Sequence, residues 1–226
     1  MYPVSYEADY VRDRDRLTVF FRIIIAIPWY IVNAIYVFAA QVVAIIAWFA
    51  LVFSGRYPEW AYNFNAGVLR FSTRYNAWVG LQVDAFPPFG IGPDPTYPVR
   101  LQIAPRAETQ SRLTAFFRIF LAIPLILLSL PMVLLHFAAA HVAWLTIVFR
   151  GYQPAGVHNA LAFTNAWNAR YVGYLLLLRD EYPPVGDEPV QVGDVPAARQ
   201  PAFGGSAGRT EPPAAPPPDA SQRRPE

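Results

Sequence analysis

Residues 22–55 read RIIIAIPWYIVNAIYVFAAQVVAIIAWFALVFSG. Past Arg22 this stretch carries no acid and no base, and its strongly polar side chains are Asn33 and Gln41. The same kind of stretch returns at residues 118–151. A helix that crosses the hydrocarbon core of a bilayer at right angles needs about 20 apolar residues. Both stretches are longer, so the sequence predicts lipid around them and not a buried protein core. The whole composition agrees, with 54% of 226 residues apolar. The first stretch follows four arginines but is about twice a signal-peptide core in length. Its near twin lies mid-chain, so it is expected to be retained.

The two stretches belong to a longer repeat. Residues 16–90 align with 112–186 at a constant offset of 96 without a gap, and about a third of the positions are identical. Arg16-Leu17-Thr18 returns as Arg112-Leu113-Thr114, and Ala26-Ile27-Pro28 as Ala122-Ile123-Pro124. Trp48, Gly55, Pro58, Asn63, Arg74, Tyr75 and Asp84 return as Trp144, Gly151, Pro154, Asn159, Arg170, Tyr171 and Asp180. Apolar composition alone does not place polar, Pro and Gly residues in register, so the chain reads as a tandem duplication. Each copy has a lead-in of period-two alternation, from Val4 to Tyr10 and from Val99 to Ile103. Such alternation predicts a short strand, and the two are expected to pair as a ribbon. Asp13 and Thr109 are the expected N-caps of the helices that follow. The predicted units are residues 1–92, residues 93–186 and a tail, 187–226. The tail is rich in Pro, Gly and Ala and is expected to be disordered.

The order of matched residues, from Leu17-Thr18 and Phe20-Phe21-Arg22 through Pro28, Trp48, Gly55, Pro58, Asn63 and Tyr75 to Pro87-Pro88 and Gly90, resembles the bacterial membrane family named domain of unknown function 4389. The resemblance covers both copies. It implies a membrane location and brings no catalytic residues. Copy two has Ala166 where copy one has Arg70, so a role common to both copies does not depend on that arginine.

The fold class expected is a mainly α membrane protein. Each repeat would supply a short strand, a hydrophobic helical hairpin or long kinked helix, and an amphipathic helix. The apolar run is interrupted near its middle by Asn33 in copy one and by Ser129-Leu130-Pro131 in copy two. That leaves a hairpin, a single crossing, or a helix lying in the interface. The hairpin is favoured because it gathers the arginine-rich flanks on one, cytoplasmic, face together with the tail. The expected location is the bacterial cell membrane, multi-pass or re-entrant. After each run Phe64, Val68, Phe71, Tyr75 and Trp78, and in copy two Trp167, Tyr171, Tyr174 and Leu178, share one helical face. Arginine and aromatic residues on such helices suit lipid headgroups. Arg22, Arg70, Arg74, Trp78, Arg118, Trp167 and Arg170 are the residues expected there.

The chemistry on offer is sparse. Without cysteine there is no disulfide or thiolate, and a net charge of +2 is too small to argue for nucleic acid. His136 and His141 are five residues apart, not on one helical face, so no metal site and no cofactor are expected. Together with Asn33 and Gln41 they are the intramembrane polar residues, expected to hydrogen-bond between helices. Asn63 and Asn159 are expected as caps, and Arg74 and Arg170 as ion-pair partners of Asp84 and Asp180. No catalytic residue is nominated. The expected function is a non-enzymatic lipid-binding or assembly module that oligomerises in the bilayer. Its partners would be membrane lipids, a second copy or another membrane protein, and no nucleic acid. A transporter or channel component and a lipid-modifying enzyme using the histidines are the alternatives.

Overall fold

Asp15 and Ser111 start the helical part of each half. In the computed structural model, which describes residues 2–185 and 191–194, Asp15 accepts from the Leu17 amide and from the Thr18 hydroxyl, and Ser111 accepts from the Thr114 amide. Asp13 and Thr109, expected as caps, stand two residues too early; Asp13 instead bridges to Tyr152. From these caps run α1 (Arg16–Ile25) into α2 (Ile27–Ser54), and α4 (Arg112–Phe116) into α5 (Arg118–Arg150).

The junctions are kinks and not reversals. Pro28 has no N–H to give the Ile24 carbonyl, yet Ala26 keeps right-handed angles (φ −72°, ψ −15°), donates to Arg22 O at 2.8 Å and accepts from Tyr30 N at 2.8 Å. Phe117 does the same in copy two, with bonds to Leu113 O and from Leu121 N at 3.0 Å. The favoured hairpin therefore does not form; the long kinked helix does. At 1.5 Å per residue, the 28 residues of α2 extend about 42 Å and the 33 of α5 about 50 Å. Asn33 does not break α2 because its Oδ1 accepts from the Ser72 hydroxyl at 2.8 Å. Pro124 and Pro131 lie inside α5, where a turn would leave more backbone groups unpaired than a proline does. Both long helices stop at glycines with positive φ, Gly55 (71°) and Gly151 (79°).

α3 (Glu59–Val79) and α6 (Ala155–Leu175) turn back along α2 and α5. Trp29 meets Trp78 at 5.4 Å and Tyr36 meets Phe71 at 5.1 Å. Both helices start behind Pro58 and Pro154, so Asn63 and Asn159, each the fifth residue of its helix, lie past the first turn and are not caps. α3 and α6 also touch each other, with Gly173 against Leu69.

The two halves interlock. α1 packs on α5, with Phe20 stacked on Trp144 at 6.3 Å and Arg14 N bonded to Gly151 O at 3.0 Å. α4 packs on α2, with Phe116 on Trp48 at 6.2 Å, Trp48 Nε1 on Ala115 O at 2.9 Å and Gln110 N on Gly55 O at 3.0 Å. The start of each helix pair thus lies at the end of the other, and the two rods run antiparallel. Behind α3 and α6 is a three-stranded sheet in the order β2–β1–β3. β1 (Val4–Tyr10) pairs antiparallel with β2 (Val99–Ile103), Tyr6 opposite Leu101. Val4, Tyr6, Ala8, Val99 and Leu101 are buried against the helices. The other face carries Glu7, Asp9, Arg100 and Gln102, joined by Arg100–Glu7 (3.1 Å) and Arg100–Asp9 (2.8 Å) ion pairs and a Gln102–Glu7 bond.

β3 (Gln191–Asp194) pairs in parallel with the free edge of β1, a correction to the expectation that the whole tail is disordered. The exposed backbone of β1 is the template that orders these four residues. The rest of the tail expectation, 187–190 and 195–226, falls outside the described residues.

α2 and α5 are long and apolar enough to cross a membrane, and only 17% and 11% of their most apolar windows is buried. Among the described residues, ten exposed large apolar side chains lie on α2 and fourteen on α5. Monomeric soluble proteins rarely expose so extended an apolar surface.

Candidate functional site

α3 and α6 end in the same device. Leu81 (φ 66°) and Leu177 (φ 62°) take left-handed angles, Gln82 N bonds to Ala77 O at 2.8 Å, and Leu178 N bonds to Gly173 O at 3.1 Å. This is the helix-ending loop that glycine usually closes. Leucine there costs about 1–2 kcal/mol in backbone strain. Both side chains are buried, and burying a leucine is worth about 1.5–3 kcal/mol, so burial wins. Each loop aims carbonyls at an arginine, one on α1 and one at the start of α5.

An arginine waits under each loop. Arg22 donates to Trp78 O (2.8 Å), Val83 O (2.7 Å) and Asp84 Oδ1 (2.8 Å), and its guanidinium lies 5.2 Å from the Trp78 ring. Arg118 donates to Arg179 O (2.7 Å) and Asp180 Oδ1 (3.0 Å) and lies 4.0 Å over Tyr174. Asp84 and Asp180 also accept from the backbone amides of Asp15 and Ser111, at 3.4 and 2.8 Å. Each carboxylate therefore clamps a loop to the start of a helix. The partners are Arg22 and Arg118, not Arg74 and Arg170 as expected. Arg74 instead donates to Gly90 O at 2.6 Å, and Arg170 lies 5.9 Å from the Tyr2 ring. Burial lowers the pKa of Arg22 and Asp84 raises it.

Between the halves a buried polar network centres on Gln82. Its Oε1 accepts from Tyr6 (2.6 Å) and Asn165 (2.8 Å), and its carbonyl accepts from Arg14. Arg14 also reaches Gln153 Oε1 at 2.8 Å, and Gln153 Nε2 donates to Leu81 O at 2.9 Å. In the other copy Tyr57 takes the place of Gln153 and donates to Leu176 O at 3.1 Å. Burial pushes the Tyr6 hydroxyl well above its ordinary pKa and that of Tyr57 up to about 12. His158 is fully buried against Tyr10, ring centroids 5.1 Å apart. Neither of its nitrogens makes a hydrogen bond of ordinary geometry. Burial, with Arg14 nearby, pushes its pKa down to about 4.

Two clefts open on this frame. One, about 340 Å³, is lined by Arg70, Arg74, Asp94, Val99, Arg100 and Leu101 among others. Arg100 is already paired with Glu7 and Asp9. Arg70 is half-exposed and carries no salt bridge among the described residues. The other, about 280 Å³, lies between α3, α5 and α6, with Asn76, Ser129, His136, Thr164 and Asn168 in its wall. His136 Nδ1 meets Thr164 Oγ1 at 2.9 Å, while that hydroxyl also reaches Leu161 O at 3.0 Å.

The residues nominated from sequence are thus distributed unevenly. Arg22, Arg74, Trp78, Arg118, Trp167 and Arg170 are buried inside the protein, where they hold helices and loops together. They do not stand on the surface where headgroups would reach them; of that group Arg70 alone is partly exposed. Asn33 and His136 bond to the neighbouring amphipathic helix, as interhelical polar residues do. Gln41 and His141 are exposed on the apolar face, His141 bonded to its own helix at Phe137 O (2.7 Å). Sequence reasoning missed Arg14, Gln82, Gln153 and Asn165. They differ between the copies, so the repeat gave no signal for them.

This frame is built twice, at the 96-residue offset. Residues 16–90 and 112–186 each match the family model described as domain of unknown function 4389. The chain belongs to this family. Its matched segments are the units of the interlocked fold, each running from the first helix through the arginine–aspartate clamp to the Pro-Pro-x-Gly exit. No curated protein and no solved structure matches the chain significantly. For the DUF4389 domain, then, the clamp Arg22–Asp84 and Arg118–Asp180 is a feature both copies share here.

Proposed function

We propose that this protein is a non-enzymatic membrane module, embedded in the bilayer through the exposed faces of α1, α2, α4 and α5, that binds lipid and serves assembly. One observation carries the reading. The outward faces of the two long helices carry no charge between their ends and are apolar apart from Gln41 and His141, while most of the polar chemistry is turned inward and spent on bonds within the chain. An enzyme would be expected to aim such groups at a substrate. Here the arginines and buried amides aim at backbone carbonyls and at one another.

The test is extraction. The full chain, expressed in bacteria, is expected to stay with the membrane pellet through alkaline carbonate and high salt and to leave it only in detergent. Native mass spectrometry from mild detergent should then show retained phospholipid and the oligomeric state. A chain recovered in detergent-free buffer as a dispersed monomer would overturn the proposal.

A further inference from the structure

The layers of the fold give the membrane-facing elements a direction, and the inference here rests on the membrane reading above. Three surfaces are stacked. Outermost on one side are α1–α2 and α4–α5; next come α3 and α6; beyond them is the sheet. α3 meets α2 through Phe71, Ser72 and Trp78 and reaches the sheet side through Tyr62, whose hydroxyl donates to Ala104 O at 2.6 Å. The far face of the sheet is the charged ladder of Glu7, Asp9 and Arg100. Of the exposed large apolar residues among those described, all but Trp60, Phe86, Phe89, Leu175, Tyr182 and Val185 lie on the long helices and their short leads, Phe117 included. The molecule is therefore apolar on one broad side and charged on the opposite one.

The rods and the strands run along the same direction. Tyr10, at one end of β1, bonds to Gln153 O at 2.8 Å, next to the end of α5. Arg106, just past β2, bonds to Tyr57 O at 3.0 Å, next to the end of α2. The Glu7–Arg100 ladder falls between those ends. If the rods stood along the membrane normal, the ladder would lie at mid-depth, where ionised side chains are most costly. Length argues the same way. Residues 23–55 hold no charge, which at 1.5 Å per residue is about 49 Å of helix. A hydrocarbon core of about 30 Å crossed at the steepest common tilt, about 40°, uses only about 39 Å. The face is also bounded by charge at both ends: Arg12, Arg16 and Arg150 are exposed around Gly151, and Arg56 and Arg112 around Gly55.

We propose that the apolar face of the two antiparallel rods lies flat in one leaflet of a lipid bilayer, so that neither long helix crosses it. The sheet and its charged ladder face water, and the terminal arginines meet the headgroup layer at both ends of each rod. An uncharged face of this length, rimmed by charges and backed by a polar layer, matches a single leaflet. A second copy of the chain would have to cover four helices at once to do the same.

The experiment uses the absence of cysteine. Ile31→Cys, Phe38→Cys, Ile45→Cys and Phe53→Cys place single spin labels along the exposed side of α2. The full chain is reconstituted in phosphatidylethanolamine–phosphatidylglycerol vesicles, and depth is read from relaxation by oxygen against a water-soluble nickel chelate. The expected result is four labels at one depth, within about 5 Å. Ser54→Cys and Asp13→Cys, at opposite ends of the rod, should both react with an impermeant maleimide from the same side. A profile that deepens from Ile31 to the middle and shallows again towards Phe53, with Ser54 and Asp13 on opposite sides, overturns the proposal but leaves the membrane reading intact. Labels fully open to nickel, on protein that floats free of the vesicles, overturn both. Labels closed to oxygen and nickel alike, on a dimer by native mass spectrometry, replace the leaflet by a second copy.

Discussion

Replacing Asp84 by Asn tests what the clamp is worth. Asp84 neutralises Arg22 at 2.8 Å and lies 3.7 Å from Arg14, and both arginine side chains are 2% exposed. Breaking a fully buried pair from one side costs about 3–5 kcal/mol, because the partner charge is left uncompensated. Two features pull the figure down. Asp84 itself is 30% exposed, so solvent screens part of the interaction, and Arg22 keeps its bonds to Trp78 O and Val83 O. One feature pulls it up, since two cations lose their counter-charge. We expect a loss of about 3 kcal/mol for Asp84→Asn. Asp180→Asn should cost less, about 2 kcal/mol, because among the described residues Asp180 forms a salt bridge with one arginine and not two. The assay is thermal or denaturant unfolding of the full chain in one mild detergent, followed by tryptophan fluorescence. A double cycle with Arg22→Met should recover part of the Asp84→Asn loss, since removing both charges removes the uncompensated one. The reasoning fails if Asp84→Asn costs under about 0.5 kcal/mol, or if Asp180→Asn proves the more damaging of the two.

Three further outcomes follow from the geometry. His158 has its pKa pushed from about 6.5 down to about 4, so the unfolded chain binds its proton first as pH falls. Stability is then full above about pH 6.5 and declines towards pH 4, by up to about 3 kcal/mol; unfolding of His158→Phe across that window should show a visibly flatter profile. At Gly151 an added Cβ would lie 2.7 Å from Arg16 Nε, against 3.2 Å from Arg112 Nε at Gly55. With positive φ at both, Gly151→Ala should cost about 1–2 kcal/mol and Gly55→Ala less, measured by the same melts. Gly80 and Leu176 occupy the same repeat position, and so do His136 and Ala40; a Cβ at Gly80 would meet His136 Nε2 at 2.9 Å. Gly80→Leu alone should cost about 1–3 kcal/mol by overpacking, and adding His136→Ala should restore a good part of it, whereas purely additive losses would show that the two sites are independent.

Much of this architecture was legible in the sequence, and the parts that were not share a cause. Periodicity and repetition announced the paired strands, the long apolar helices and the amphipathic helices behind them. They are local properties, written every two or every three to four residues. The clamp was misread because Arg74 lies ten residues from Asp84 and Arg22 lies 62 away, and only the tertiary return of α3 along α2 decides between them. Six of the seven residues assigned to headgroups lie inside the protein for a related reason. Arginine with tryptophan on one helical face reads as an interfacial signature, yet Arg22 on Trp78 and Arg118 on Tyr174 make that contact inside the protein. The hairpin was one of the arrangements opened by Asn33 and Pro131, residues that disturb a helix in isolation, and the arginine-rich flanks favoured it. Here Ser72 satisfies Asn33 from outside.

The exchange of α1 and α4 between the halves explains why two domains are found in one chain. A single repeat carries a first helix whose packing partner is not its own α2: Val19 packs in a cluster with Ala139, Ala143 and Ile147 of α5. The equivalent Ala115 lies in the other cluster with Ala40, Ala47 and Leu51 of α2. Left alone, one repeat would present those buried contacts to solvent or lipid along with its outward face. It would also lose the bonds that the swapped leads make at Gly55 and Gly151. Two copies close the arrangement around an approximate twofold, and once closed, the identities at matched positions are free to diverge. Gln82 faces Tyr6 and Asn165 where its counterpart is Leu178, and Gly80 makes room for His136 where the other half has Leu176 and Ala40. What both copies kept is the pair that fastens each loop to its helix and the uncharged face outside it. The first is a requirement of folding. The second accords with the lipid setting proposed above.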